Sequence, residues 1–325
     1  MLLIIELVLV LILAAGVGVF AWLNRINHVS LKETTVNEGV SGRSGYKTMV
    51  LYGVDSREGA LTKDCHSDTI MIISINESTK DVKLVSVYRD TYLDNTNGEY
   101  RKATECYFFG GPERSVNMLN RNLDLDITDY IAVNFQAVVK VVDMLGGVDL
   151  EITDEEMELI NGYCVENYQV TGAEYTPLTQ SGYVHLTGTQ ALAYCRIRYT
   201  EGWDYKRTER QRTVLSLMYN KAKEQGTGSL ISVANTMMPY ISTSMSTTEL
   251  IGYVSKLGGY YLADQTGFPF DKEARDVSGA GDCVVPVNLA GNVSQLYSFL
   301  YGDQNYTPSQ AVQEISAQIT SATGV

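Results

Sequence analysis

The chain has 325 residues, 45% of them hydrophobic and 19% charged, with a formal net charge of −13. That length allows one or two domains with a sizeable core, so no disulfide or metal is needed merely to hold a small fold. The apolar fraction argues against a disordered or fibrous chain. The acidic total argues against a general nucleic-acid binder, which presents a basic surface, but it leaves room for a local basic pocket.

Residues 7–23 are apolar or small without a break, and 2–5 extend the run past Glu6. A membrane helix needs about 20 mostly apolar residues, so the run is long enough to span. With no small-x-small cleavage pattern and no amphipathic face, 1–24 is expected to be an uncleaved anchor. Only Met1 precedes the run while Arg25 and Lys32 follow it. Taken alone, that distribution places the C-terminal part in the cytoplasm, unless the true start lies upstream with a basic leader. Residues 25–45, rich in Asn, Ser, Thr and Gly, read as a linker to a domain over 46–325.

Short β-branched runs bounded by Gly, Asp and Asn predict strands at 48–54, 69–75 and 82–87. A helix follows at 113–122, a strand at 130–134, a helix at 135–145 stopped by Gly146-Gly147, and a strand at 148–152. Residues 187–194 read as a helix capped by Thr187, and 208–225 as a longer amphipathic one bearing Val214, Leu215, Met218 and Ala222 on one face. Helical segments at 230–238, 247–257 and 292–301, with a strand at 283–287, complete the pattern. The mixed order predicts one α/β/α sandwich around a central mixed sheet.

Charged residues then fall at strand ends, where ligand sites of α/β sheets collect. Asp55 and Arg57 follow the first strand, Asp68 opens the second, and Arg89 with Asp90 follows the third. Arg196 and Arg198 are two apart, so in extended backbone they point the same way. Arg207, Arg210 and Gln211 share one face at the opening of the long helix. A helix N-terminus carries partial positive charge and suits anions, so arginines gathered there on an acidic chain call for an anionic ligand. Arginine forks match phosphate oxygens, and two carboxylates plus substrate phosphates suit Mg²⁺, so Asp55, Asp68 and the arginines together describe a pyrophosphate site.

Seven motifs in order carry a resemblance: LYGVDSR (51–57), SDTIMI (67–72), SVYRDTY (86–92), Lys102 with FFGGP (108–112), VDMLGGVDL (142–150), LTGTQALAYCRIR (186–198) and RTERQRTVL (207–215). On these the chain resembles the LytR–CpsA–Psr family of cell-wall glycopolymer ligases, from about Tyr46 to the C-terminus. The resemblance implies a single-pass protein of the cell membrane, its catalytic domain extracytoplasmic beneath a Gram-positive type wall. It implies a transferase that moves an anionic glycopolymer (teichoic acid, capsule or a related polymer) from a polyprenyl pyrophosphate carrier to a peptidoglycan muramic acid. By the same resemblance Asp55 and Asp68 would hold Mg²⁺. Arg57, Arg89, Lys102, Arg196, Arg198, Arg207, Arg210 and Gln211 would surround the substrate, with Asp55, Arg89 and Arg198 catalytic and the lipid tail in an apolar channel beside the sheet.

Tyr88 stands where the family usually has Pro, and Glu105 and Cys106 where it usually has small residues, which bears on substrate identity. His66, flanked by Asp64 and Asp68, reads as an exposed loop residue; His28 and His185 read as structural. The five cysteines lack any zinc spacing, which leaves one or two disulfides or buried free thiols open. Two other functions fit the same residues: an anchored polyprenyl-phosphate-binding or regulatory protein without turnover, and a lipid pyrophosphate hydrolase.

Overall fold

Strand alternation early in the chain lays down the sheet on which everything else is placed. The computed structural model describes residues 27–55 and 61–325. Its strands are β1 (Asn27–His28), β2 (Tyr46–Val54), β3 (Ser67–Asn76), β4 (Asp81–Val87), β5 (Tyr92–Asp94), β6 (Tyr100–Lys102), β7 (Tyr130–Val133), β8 (Val148–Ile152), β9 (Gly182–Leu186), β10 (Ile241–Thr243), β11 (Tyr261–Phe268), β12 (Lys272–Val277) and β13 (Gly281–Pro286). Its helices are α1 (Ala103–Leu123), α2 (Phe135–Met144), α3 (Asp154–Thr171), α4 (Gly188–Arg196), α5 (Trp203–Glu224), α6 (Thr227–Met237), α7 (Thr247–Lys256), α8 (Leu289–Tyr301) and α9 (Gln310–Thr323).

Among the described residues the main sheet has seven strands in the order β1-β10-β7-β2-β3-β4-β11. It is mixed: β2 runs parallel to β7 and antiparallel to β3, which is antiparallel to β4. Even-numbered residues of β2 and β3 (Val50, Tyr52, Val54, Ile70 and Ile72) point into a core closed by α1, α8 and α9 through Leu119, Leu296 and Ile315. Odd-numbered Met49 and Ile75 pack on Met245 and Tyr260 at one end of the opposite face. The rest of that face looks toward α2 to α5, whose own core joins Val142, Leu186, Ile197 and Val214 to the β8–β9 ribbon. Helices therefore cover both faces, as the alternation predicts.

The helix expected at 113–122 begins ten residues earlier, at Ala103. Gly111, with φ 66°, breaks it midway and precedes Pro112, so only the half after the proline reads as a helix in sequence. A Cβ on Gly111 would stand 2.3 Å from the Thr62 carbonyl oxygen, which keeps that position bare. The helix α5 starts at Trp203 rather than 208, placing Arg207 inside its second turn rather than at its opening. Arg196 closes α4 and Ile197 caps it with φ −58° and ψ 124°, so Arg196 and Arg198 do not share a strand face as extended backbone would dictate.

All five cysteines are free thiols, four of them buried, which removes the disulfide alternative. The expected anchor and Arg57 lie outside the described residues. Among those described, no helix is long and apolar enough to cross a membrane.

Candidate functional site

The carboxyl ends of β2, β4 and β7 and the start of antiparallel β3 converge on one rim of the sheet, where α/β folds hold ligands. A register shift there decides which side chains face out. Gly53 pairs with Thr69 but Val54 pairs with Ser67, leaving Asp68 as the extra residue of a bulge. A bulge re-aims a side chain, so Asp68 joins the odd-numbered Leu51, Gly53, Asp55, Thr69 and Met71 in lining one cavity. A Cβ on Gly53 would stand 2.9 Å from Thr69 Cβ, so glycine lets the two strands carry these groups side by side.

Arginines meet Asp68 from three elements. Arg89, just past β4, donates from Nη1 to Asp68 Oδ1 at 2.5 Å. Arg198 Nη2 lies 3.6 Å from Asp68 Oδ2, and Arg207 Nη2 donates to the Asp68 carbonyl at 3.1 Å. Burial works to raise the Asp68 pKa, but the charges of Arg89, Arg207 and Arg198 outweigh it and hold the carboxyl below its ordinary value. Arg207 is only 2% exposed, and burial pulls its pKa down to about 10 despite Asp204, whose Oδ1 lies 2.8 Å from Arg207 Nη2. Asp204 itself is pushed up by burial, and its Oδ2 has no hydrogen-bond partner among the described residues.

Beneath this charged rim the cavity turns apolar. It encloses about 710 Å³, and its inner wall includes Val133, Val138, Leu192, Val214, Leu215 and Met218. Of the α5 face that the sequence pattern marks as apolar, Val214, Leu215 and Met218 thus also border a void, while Ala222 packs in a filled core. One molecule that carries a multiply charged anion on a long hydrocarbon tail would satisfy both ends.

The other expected residues distribute unevenly. Arg196 lines the cavity, donating to Asn167 Oδ1 at 2.6 Å and lying over the rings of Phe135 and Tyr163. Gln211 also lines it, accepting from Thr69 Oγ1 at 3.0 Å and donating to the Cys195 carbonyl at 3.3 Å. Arg210 does not: it is 2% exposed and spends its donors on Glu156, Thr200 and the Ile197 carbonyl, beside the cavity rather than in it. Lys102 stands apart as well, 3.4 Å from Asp90. Tyr88, at the family's usual proline, is buried and packs edge-on against Tyr205, away from the cavity lining. Sequence reasoning missed Asp204, whose one signal is an acid three residues before Arg207 in a first turn misjudged as loop.

Asp55 and Asp68 both line the cavity and are carboxylates that could hold Mg²⁺. Among the described residues no cluster of three or more acidic, histidine or cysteine ligands gathers, so phosphate oxygens and water would have to complete the set around this ion. Asp68 would have to release Arg89 to bind it, and an incoming phosphate is the partner that would take Arg89 over.

The model of the LytR_cpsA_psr family matches residues 23–271. The polyisoprenyl-teichoic acid–peptidoglycan teichoic acid transferase TagT of Bacillus subtilis is 26% identical over 279 residues, covering 80% of this chain and 83% of its own. The transferase TagU of Enterococcus faecalis is 29% identical over 204 residues, with 62% of this chain matching 60% of that one. A solved structure of the family protein YwtF (TagT) with bound octaprenyl pyrophosphate lipid superposes with a TM-score of 0.56 at 22% identity, covering 92% of this chain and all of that one. The family match stops at 271, short of the C-terminus to which the motif resemblance extends, yet α8 and α9 beyond it fill the same core as β2 and β3. With the seven motifs, the mixed sheet and a family model spanning most of its length, this chain belongs to the LytR_cpsA_psr family.

Proposed function

We propose that the protein is a phosphotransferase that moves an anionic glycopolymer from a polyprenyl pyrophosphate carrier to a peptidoglycan hydroxyl, working outside the cell from a single N-terminal anchor. The observation that carries this reading is the two-part cavity: an arginine-lined rim opening onto an apolar interior of about 710 Å³. Each methylene that leaves water for that interior contributes about 0.8 kcal/mol, so a prenyl tail anchors the donor while the rim holds its pyrophosphate. The names of the relatives, teichoic acid transferases acting on peptidoglycan, point the same way.

In the reaction, an acceptor hydroxyl oxygen forms a bond to the sugar-linked phosphorus and the bond from that phosphorus to the bridging oxygen breaks. Polyprenyl phosphate leaves with that electron pair. Arg89 and Arg198, which both line the cavity, would meet the phosphoryl oxygens as charge develops, and positioned charges of this kind are the main source of rate in phosphoryl transfer. Arg207, buried and fixed by Asp204 and the Asp68 carbonyl, holds the geometry from below. Asp204, absent from the cavity lining, acts through Arg207, whose Nη2 lies 2.8 Å from its Oδ1, and Asp55, which does line the cavity, is the carboxylate that would accept the hydroxyl proton. Asp55 and Asp68 would hold Mg²⁺, which when bound supplies further neutralisation of phosphate charge.

The test uses the full chain in detergent with a polyprenyl-pyrophosphate-linked sugar and peptidoglycan fragments, with and without Mg²⁺, analysed by mass spectrometry. A sugar–phosphate–muramic acid adduct that disappears in Arg89→Ala supports the reading. Donor bound but never consumed, or lipid phosphate released as fast without peptidoglycan as with it, overturns it.

A further inference from the structure

Across Arg89 from the apolar cavity the surface dips into a second, smaller one of about 360 Å³. Arg89 and His66 line both, so these two side chains form the wall between them. On its far side the second cavity is lined by Lys102, Glu105, Phe108 and Phe109. None of these is accounted for by the donor site described above.

The chemistry of this cavity differs from that of the arginine rim. Its charges are already matched: Lys102 Nζ lies 3.4 Å from Asp90 Oδ1, and Arg101 Nη1 lies 3.5 Å from Glu105 Oε2. It therefore holds no surplus cation for a phosphate. Three polar atoms on its lining are nonetheless left wanting, one of them Arg89 Nε, which has no hydrogen-bond partner among the described residues. Thr104, 4% exposed, has an Oγ1 without a hydrogen-bond partner among the described residues, and Asp90 Oδ1 makes no hydrogen bond despite its ion pair. Leaving such atoms unpaired costs free energy, which a hydroxyl-bearing ligand would recover.

Aromatic faces complete the set. Phe108 stacks on His66 with ring centroids 4.8 Å apart and planes 15° from parallel. Phe109 meets Phe108 edge-on at 5.3 Å and is 53% exposed, so part of its ring is open to a ligand. A pyranose ring has an apolar C–H face that packs on the electron-rich face of an aromatic ring, and a rim of hydroxyls for the polar atoms.

We infer that this cavity is the subsite for a pyranose ring of the acceptor glycan. The choice of acceptor over donor follows from the displacement geometry and rests on the transferase reading. Attacking and departing oxygens lie roughly in line on opposite sides of the phosphorus. With the departing prenyl phosphate in the apolar cavity, the attacking hydroxyl enters from across Arg89, where Phe109 and Thr104 would hold its ring.

The experiment measures binding rather than turnover, so it does not depend on catalysis. Full-length protein in detergent is titrated with a peptide-free N-acetylglucosamine–N-acetylmuramic acid tetrasaccharide, and separately with farnesyl pyrophosphate with and without an attached N-acetylglucosamine. Phe109→Ala is expected to weaken the tetrasaccharide about fivefold to tenfold and to leave both pyrophosphates within twofold. Thr104→Val keeps the side-chain shape and removes an unpaired buried hydroxyl, so it folds, and it is expected to weaken the tetrasaccharide about fivefold. Tetrasaccharide affinity unchanged in both variants, or no tetrasaccharide binding to the wild type, overturns the inference. So does a Phe109→Ala loss confined to the sugar-bearing pyrophosphate, which would give the cavity to the donor. If the tetrasaccharide arm succeeds while no adduct forms in the transfer assay, the transferase reading alone fails.

Discussion

Arg89 Nη1 and Asp68 Oδ1 stand 2.5 Å apart, joining the end of β4 to the bulge of β3. This pair holds the guanidinium in place before any anion arrives, at little reorganisation cost when a phosphate replaces the carboxylate. Arg89→Ala is expected to lower transfer about 100- to 1,000-fold, the usual loss when one charge-stabilising group is removed. Its thermal unfolding should stay near that of the wild type, because Asp68 keeps Arg207 and Arg198 nearby. Arg89→Lys, retaining the charge but losing the fork, should recover only part of the rate.

The same pair sets a pH dependence of stability. Asp68 has its pKa lowered in the fold, so its contribution is present above the unfolded aspartate value of about 3.9 and is lost as pH falls through the lower folded value. Denaturant titrations of wild type and Asp68→Asn in chelator, from pH 5 to pH 2, should show the wild-type advantage shrinking toward the acid end. An advantage constant with pH would show that the arginines do not act on this carboxyl.

Asp204 gives the opposite sign. Burial raises its pKa, so the ionised form that holds Arg207 is lost at a higher pH than for an ordinary aspartate, and transfer should fall with it on the acid side. Asp204→Asn should lower the rate and flatten that acid limb. Loss of rate with the limb intact would assign the limb to a different carboxylate.

The apolar half of the cavity predicts a chain-length effect. Met218→Trp adds volume to the wall formed by Val138, Leu192 and Val214. Binding of a long prenyl pyrophosphate should weaken on the order of tenfold, at about 0.8 kcal/mol per methylene displaced. Binding of a two-unit prenyl pyrophosphate should change little. Calorimetry with the two chain lengths separates these outcomes.

Much of this was readable in residue order. The strands β2, β3 and β4 declare themselves because one face alternates and their ends carry Asp55, Asp68 and Arg89. What could not be read depends on facts that appear only in three dimensions. The apolar stripe of α5 looks the same whether it meets a core or a void, so Val214 and Met218 gave no sign of a cavity. The helix α3 escaped because acidic and polar residues crowd it; what fixes its start is the Thr153–Glu156 capping box. The bulge that turns Asp68 outward leaves no mark in composition. The pairing of Arg210 is equally hidden, since Glu156 lies 54 residues away in sequence.

That pairing yields the sharpest contrast with expectation. Spacing groups Arg210 with Arg207 and Gln211 as substrate-binding, but its Nε donates to Glu156 Oε1 at 2.9 Å while Glu156 Oε2 accepts from the Thr153 amide at 3.0 Å. One carboxylate thus caps α3 and ties it to α5. Breaking a buried pair from one side leaves a stranded charge, so Arg210→Ala and Glu156→Ala should each cost about 3–5 kcal/mol of stability. For a domain this large that corresponds to a fall in melting temperature on the order of 10 °C. Arg210→Met combined with Glu156→Gln should lose much less than the sum, because the apolar stem is kept and neither charge remains buried without its partner. Donor affinity measured well below the melting point should be unchanged in Arg210→Ala. A variant as stable as the wild type but unable to bind prenyl pyrophosphate would instead return Arg210 to the substrate site.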